Sequence, residues 1–200
     1  MECPGWFTVM KRSAVKLPDG GGFNFRKGEF NPEIVRHFVG RHVLHGGVLW
    51  EPFAGVSKQV RSLDVCDAAG VRLIAYDLSP ADPRVEKYDS TMYGPPESID
   101  GVIFHPPYYG SAAFSEDGRD VAHSTDIEDY RERMRETIEL ADRAMRPAAV
   151  ACVVGSAYRL GGELLKVSWL FCELFIECGF EVVEMLSSVP DMAVVLRREG

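Results

Sequence analysis

The sequence predicts an open α/β sheet, mostly parallel, with helices on both faces and an antiparallel strand at one edge. Three observations carry this expectation. Four short apolar segments, each bounded by turn residues, have the composition of strands buried on both faces of a sheet. Stretches of helical period separate them, as parallel crossovers require. Two further strand-like segments near the C-terminus follow one another across a tight connection, which suits an antiparallel pair. The 200 residues are 46% apolar, enough for one sizeable core, so residues 1–200 are expected to form a single domain, with residues 1–30 less regular than the rest.

The elements follow in chain order. The triplet Gly20–Gly22 marks a loop. Asn31, Pro32 and Glu33 read as a helix start, with the Asn side chain as N-cap and Pro in the first helical position. GGVLWE (Gly46–Glu51), VRLIAYD (Val71–Asp77), DGVIFH (Asp100–His105) and AAVACVVG (Ala148–Gly155) are the four buried strands. Ahead of the last of these, Ile127, Tyr130, Met134, Ile138, Ala141 and Met145 fall on one helical face. Thr125, with Glu128 three residues on, forms a capping box for that helix, which ends before Pro147. VSWLFCELFIECGF is apolar almost all round and reads as a helix sunk in the core, with a dimer surface as the rival reading. FEVVEMLSS and DMAVVLRRE, joined through Val189 and Pro190, are the antiparallel pair.

Composition limits the classes of function. The longest apolar runs, such as Ala149–Val154, are too short to span a bilayer, and the N-terminus lacks a charged-then-apolar signal pattern, so a cytoplasmic location is expected. Cys3, Cys66, Cys152, Cys172 and Cys178 show no CxxC pairing and read as free thiols in a reducing compartment. A net charge of −8 weighs against a broad basic surface, so a polynucleotide would need a local patch or a second chain to hold it. His37, His42 and His45 lie close together, but no carboxylate or cysteine sits at ligand spacing beside them, and no metal site is expected.

In open α/β sheets ligands bind beyond the carboxyl ends of the strands. Four such places carry unusual residues. EPFAGVSKQ (Glu51–Gln59) makes a tight turn through Pro52 and Gly55, without the spacing of a dinucleotide or triphosphate loop. AYDLSP ends a strand on Asp77, a carboxylate suited to the two hydroxyls of a ribose, although Asp before Ser-Pro also caps turns. EKYDSTMYG supplies Asp89. GVIFHPPYYG ends a strand on a histidine, two prolines and two tyrosines.

In their order along the chain these motifs resemble the DNA methyltransferases that use S-adenosylmethionine to methylate the exocyclic amino group of adenine or cytosine. KGEFNPEIVRHFV (Lys27–Val39) is similar to that family's segment before the first strand, EPFAG to its DPFxG cofactor loop, YDLSP to its ribose-binding acidic turn, and HPPY to its (D/N/S)PP(Y/F/W) catalytic motif. Val153–Phe171 is similar to the segment after its fifth strand. Two departures stand out: Glu51 replaces an aspartate, and His105 replaces Asp, Asn or Ser. The resemblance implies a Rossmann-like class I methyltransferase fold and S-adenosylmethionine as cofactor, held by Phe30, Asn31, Glu51, Pro52, Phe53, Ala54, Gly55, Asp77, Leu78 and Asp89. It implies transfer at His105, Pro106, Pro107 and Tyr108, and DNA as the partner, with RNA or a modified nucleotide second and an inactive subunit of a larger complex third. The chain has no stretch of the size such enzymes devote to reading a target sequence, so recognition would be loose or supplied by a partner subunit or a second copy.

The HPPY chemistry also has a physical basis. The lone pair of an exocyclic amine is delocalised into its ring, so the site must hold both N–H bonds with acceptors while the nitrogen pyramidalises toward the methyl donor. The side chain at position 105 can supply one acceptor and the Pro106 carbonyl the other, while Pro-Pro fixes φ and removes a competing backbone donor. Tyr108 then offers an aromatic face to a base flipped from its stack.

Overall fold

The computed structural model describes residues 15–18, 29–110, 115–160, 162–188 and 191–199. Cys3, the glycine triplet, Lys27 and the Val189–Pro190 connection lie outside them. The elements are β1 (Val15–Lys16), α1 (Pro32–His42), β2 (Val48–Glu51), α2 (Arg61–Ala68), β3 (Arg72–Asp77), β4 (Glu86–Lys87), β5 (Ile99–Phe104), a 3₁₀ turn (Val121–His123), α3 (Ile127–Ala144), β6 (Met145–Gly155), β7 (Ala157–Leu160), β8 (Glu163–Lys166), α4 (Val167–Glu177), β9 (Phe180–Ser188) and β10 (Asp191–Arg198). Eight strands form one sheet in the order β1-β9-β10-β6-β5-β2-β3-β4. β6, β5, β2, β3 and β4 run parallel, so their carboxyl ends share one side of the sheet. β10 runs against both β6 and β9, and the two residues of β1 pair in parallel with β9. The β7–β8 hairpin stands apart from this sheet and has no counterpart in the strands read from sequence.

Period-two alternation sends side chains of the central strands into two separate cores. Leu49, Ile103 and Cys152 pack with Ile34 and Phe38 of α1 and Leu63 and Cys66 of α2 on one face. Trp50, Phe104 and Val153 pack with Tyr130 and Met134 of α3 and Phe171 and Phe175 of α4 on the other. The apolar α4 is therefore a core helix, with Ile176 left at the surface. Cys66, Cys152 and Cys172 are buried free thiols, and Cys178 is partly buried and also free. At the sheet centre Gly101 is required by close approach, because a Cβ there would run into the Val150 carbonyl. No helix among the described residues is long and apolar enough to cross a membrane.

Two local expectations are corrected. The N-cap of α3 is Asp126, whose Oδ1 accepts from the N–H groups of Glu128 (3.0 Å) and Asp129 (2.9 Å), while the Thr125 N–H donates to Asp129. A carboxylate makes the stronger cap because it is charged and faces the positive end of the helix. Met145 is the C-cap and the first residue of β6 instead of the last residue of the helical face.

Candidate functional site

The carboxyl ends of β2, β3, β5 and β6 open into one pocket of about 520 Å³. Every residue that the sequence reading assigned to cofactor or catalysis lines it, apart from Asn31. Glu51, Pro52, Phe53, Ala54 and Gly55 come from the turn after β2, Asp77 and Leu78 from the end of β3, Asp89 from the turn after β4, Phe30 from the entry to α1, and His105, Pro106, Pro107 and Tyr108 from the end of β5.

The turn after β2 is fixed by backbone groups. Gly55 has φ +85°, a conformation that a side chain would strain, and a Cβ there would meet nothing within 4 Å. Conformation, not crowding, therefore requires the glycine. Asp77 Oδ2 accepts from the Gly55 N–H at 2.9 Å and Oδ1 from the Ser79 N–H at 2.8 Å. Asp77 thus caps its own turn and also anchors the neighbouring one, with lone pairs left over on both oxygens. Burial raises its carboxyl above the usual range, and the two N–H groups oppose that rise. The Ala54 N–H donates to the Tyr76 carbonyl at 2.9 Å, and the Ser90 hydroxyl donates to the Pro52 carbonyl. Asp89 accepts from the Thr91 N–H (3.1 Å) and hydroxyl (2.8 Å) and shapes the third turn.

Glu51 is almost wholly buried, and the Ser62 hydroxyl donates to it. Burial pushes its carboxyl up to about 8; Ser62 opposes the shift and the Asp77 charge adds to it. At neutral pH Glu51 is therefore mainly protonated.

Asn31 stands just outside the pocket lining. It is buried at the α1 N-terminus, where Oδ1 caps the Glu33 N–H at 2.9 Å and Nδ2 donates to Ser188 Oγ (2.6 Å) and the Pro18 carbonyl (3.1 Å). Its side chain ties the helix start to the end of β9 and is occupied there.

The wall after β5 is aromatic. Phe30 meets the His105 ring edge-on at 4.8 Å. Tyr108 stacks on Tyr158 at 5.4 Å and 17°, so one of its faces is already covered. Its hydroxyl accepts the Ser156 N–H at 3.0 Å and lies 3.3 Å from Ser156 Oγ and 3.5 Å from His105 Nε2. Tyr130 donates to the Pro107 carbonyl at 2.7 Å. Pro106 also lines the pocket, and its backbone carbonyl is a second acceptor there. Burial alone pushes the His105 imidazole down from 6.5 to about 4. A neutral imidazole has one accepting nitrogen, whereas its protonated form has none.

Ser156 and Asp191 were not singled out by sequence. Ser156 follows directly on the strand Ala148–Gly155 read from sequence, so the strand-end rule could have found it. Tyr158 arrives through the unforeseen β7. Asp191 lines the pocket from β10, where burial pushes its carboxyl up to about 6 against the opposing Asn31 backbone N–H. Nothing local marks it.

No protein-family model matches the chain. The chain is 33% identical over 73 residues to the Type II methyltransferase M.MjaII of Methanocaldococcus jannaschii, a match covering 34% of this chain and 13% of that protein. Among solved structures, the N-methyltransferase NodS of Bradyrhizobium japonicum, in complex with S-adenosyl-L-homocysteine, aligns with a TM-score of 0.54 at 11% identity, over 84% of this chain and 85% of that one. The Burkholderia thailandensis 1,6-didemethyltoxoflavin-N1-methyltransferase, with bound 1,6-didemethyltoxoflavin and S-adenosylhomocysteine, aligns at 0.53 and 14% identity over 83% and 77%. The T. thermophilus 16S rRNA methyltransferase RsmC, in complex with AdoMet and guanosine, aligns at 0.54 and 13% identity over 90% and 44%. The fold is the Rossmann-like class I methyltransferase fold.

Proposed function

We propose that the protein transfers a methyl group from S-adenosylmethionine to the exocyclic amino group of an adenine or cytosine in DNA, with the base flipped into the pocket. One observation carries the reading: a single cavity joins the EPFAG turn and Asp77 to the His105-Pro106-Pro107-Tyr108 wall. Its volume of about 520 Å³ falls within the range of small-molecule sites. The local likeness to a Type II methyltransferase and the S-adenosylhomocysteine held by two proteins of this fold support it.

The residues fit the cofactor. Asp77 has lone pairs free for the ribose hydroxyls, and Glu51 offers a carboxyl that ionises beside a cation. S-adenosylmethionine would supply a methyl group on a positively charged sulfur. Neutral His105 accepts one N–H of the target amine and the Pro106 carbonyl the other, which holds the nitrogen lone pair toward the methyl carbon. With the cofactor bound, the nitrogen would gain the methyl group, the sulfonium would leave as a thioether, and the methylated amine would lose a proton to solvent. Catalysis is mainly orientation. Tyr108 carries the base on the ring face that Tyr158 leaves open.

A second reading places the acceptor amine on RNA, which the fold's likeness to the rRNA methyltransferase RsmC supports, or on a free or modified nucleotide, which the net charge of −8 favours. Tritiated methyl transfer assayed on DNA, RNA and nucleosides decides between them. Label in DNA that resides on adenine N6 or cytosine N4 supports the main reading, and label confined to RNA or nucleosides replaces it. Cofactor binding by calorimetry without transfer to any acceptor would mark an inactive subunit.

A further inference from the structure

His37 and His42 lie five residues apart on α1, well along the helix from its pocket end at Asn31 and Pro32. The fold brings Glu184 of β9 to them across 147 and 142 positions of sequence. Glu184 Oε2 lies 3.1 Å from His37 Nε2 and 2.8 Å from His42 Nε2, and the three atoms lie within 4.8 Å of one another. The sequence showed histidines without a carboxylate, and the sheet supplies one.

The surroundings suit a metal ligand set. Arg41 Nε stands 3.5 Å from Oε1, the oxygen that the histidines do not use, and so orients the carboxylate while leaving Oε2 to the cluster. Phe38, fully buried, backs the His42 ring at 6.1 Å. His42 and Glu184 are 9% and 11% exposed, whereas His37 is 20% exposed and leaves one side open to water. Two imidazole nitrogens and one carboxylate oxygen around a tetrahedral zinc, each about 2.0–2.2 Å from the ion, sit about 3.3–3.5 Å apart. The separations from Oε2, 3.1 and 2.8 Å, are shorter than that spacing and all three atoms lie within 4.8 Å, so the carboxylate must draw back from the rings by a few tenths of an ångström to admit the ion.

We propose that His37, His42 and Glu184 form a zinc site with water as fourth ligand, fastening α1 to β9 outside the pocket. Three protein ligands, one fewer than in closed structural sites, make the ion exchangeable. Pro32 and Val35 of the same helix line the pocket, so the clamp fixes a pocket wall without touching the ligand.

The test uses the untagged full chain, stripped with a chelator and titrated with Co²⁺ and then Zn²⁺. Expected are one Co²⁺ per chain with the visible absorption of a tetrahedral site, its displacement by one Zn²⁺, and a rise of several degrees in Tm with Zn²⁺. Glu184→Gln and His42→Gln keep polar side chains at their positions and should lose both signals, with affinity falling by more than the roughly 10–100-fold typical of outer-shell changes. His37→Gln, at the most exposed ligand, serves if either of these fails to fold. His45→Gln should change nothing. No tetrahedral absorption in the unaltered protein, or binding that survives the ligand substitutions, overturns the proposal and leaves a hydrogen-bonded latch.

Discussion

The turn after β2 and the turn after β5 lie side by side at one pocket, because their strands pair, but are held in different ways. In the first, two carboxylate oxygens of Asp77 and a backbone carbonyl grip N–H groups at 2.8–2.9 Å. In the second, the Pro107 carbonyl is bonded by Tyr130 at 2.7 Å and Tyr108 by the Ser156 N–H at 3.0 Å, but the His105 side chain has only ring contacts and the Tyr108 hydroxyl at 3.5 Å. Short backbone bonds preset a shape, whereas ring packing tolerates sliding. The first wall is therefore preset, and in the second it is the His105 side chain that is free to adjust as an acceptor enters.

The largest effect expected from this contrast concerns His105. His105→Ala should cut methyl transfer by about a hundred-fold or more, the size typical of losing one preorganised hydrogen bond, with cofactor affinity retained. His105→Asn keeps an acceptor and should keep part of the rate. With the imidazole pushed down to about 4, the acid limb of the wild-type rate should fall near pH 4 instead of 6.5, and the Asn variant should lack it. The same shift acts on stability. The folded state resists protonation that the unfolded chain accepts, so the stability His105 contributes is present above pH 6.5 and is lost as pH falls toward 4. Rate and urea-melt profiles from pH 4 to 8 check both points.

Asp77→Ala should weaken the cofactor by about ten-fold or more. It also strands the Gly55 and Ser79 N–H groups, so a stability loss of roughly 1–3 kcal/mol should accompany it. Isothermal titration together with thermal melts would separate the two effects. An unchanged dissociation constant would remove Asp77 from ligand binding and leave it only as an anchor.

Tyr108→Phe should be less benign than a simple loss of a hydroxyl, because the Ser156 N–H loses its acceptor, worth roughly 1–3 kcal/mol. Tyr108→Ala also removes the stack on Tyr158 and should lower transfer further. Equal transfer rates for the two variants would assign the working part to the hydroxyl. The smallest effect belongs to Asn31→Ala, about 1 kcal/mol for a lost N-cap, with cofactor affinity nearly unchanged. A ten-fold loss of affinity there would return Asn31 to the site.

What the sequence could reveal depended on whether the signal was local. EPFAG, AYDLSP and HPPY are contiguous, lie at strand ends and keep their order, so the walls they form were readable, whereas Ser115, Arg119, Asp120 and Val121, which also line the pocket, were not. Asn31 satisfied the cap rule and the motif resemblance at once, and its three hydrogen bonds support the first. Thr125 and Asp126 are both competent caps, and only the helix geometry separates them. Strand order was not legible, since no pattern within DMAVVLRRE says that it inserts between β6 and β9. Asp191 and Glu184 stayed hidden for the same reason: each acquires its chemistry from a partner more than a hundred residues away.

The protonated Glu51 has a consequence for the energetics of binding. A ligand that brings a positive charge beside this carboxyl favours its ionised form, so uptake of a cation should expel a proton into the buffer. The measured heat would then depend on the buffer's own ionisation enthalpy, and the affinity would rise with pH up to about 8, where the empty pocket has already released the proton. A neutral ligand of the same shape would show neither dependence.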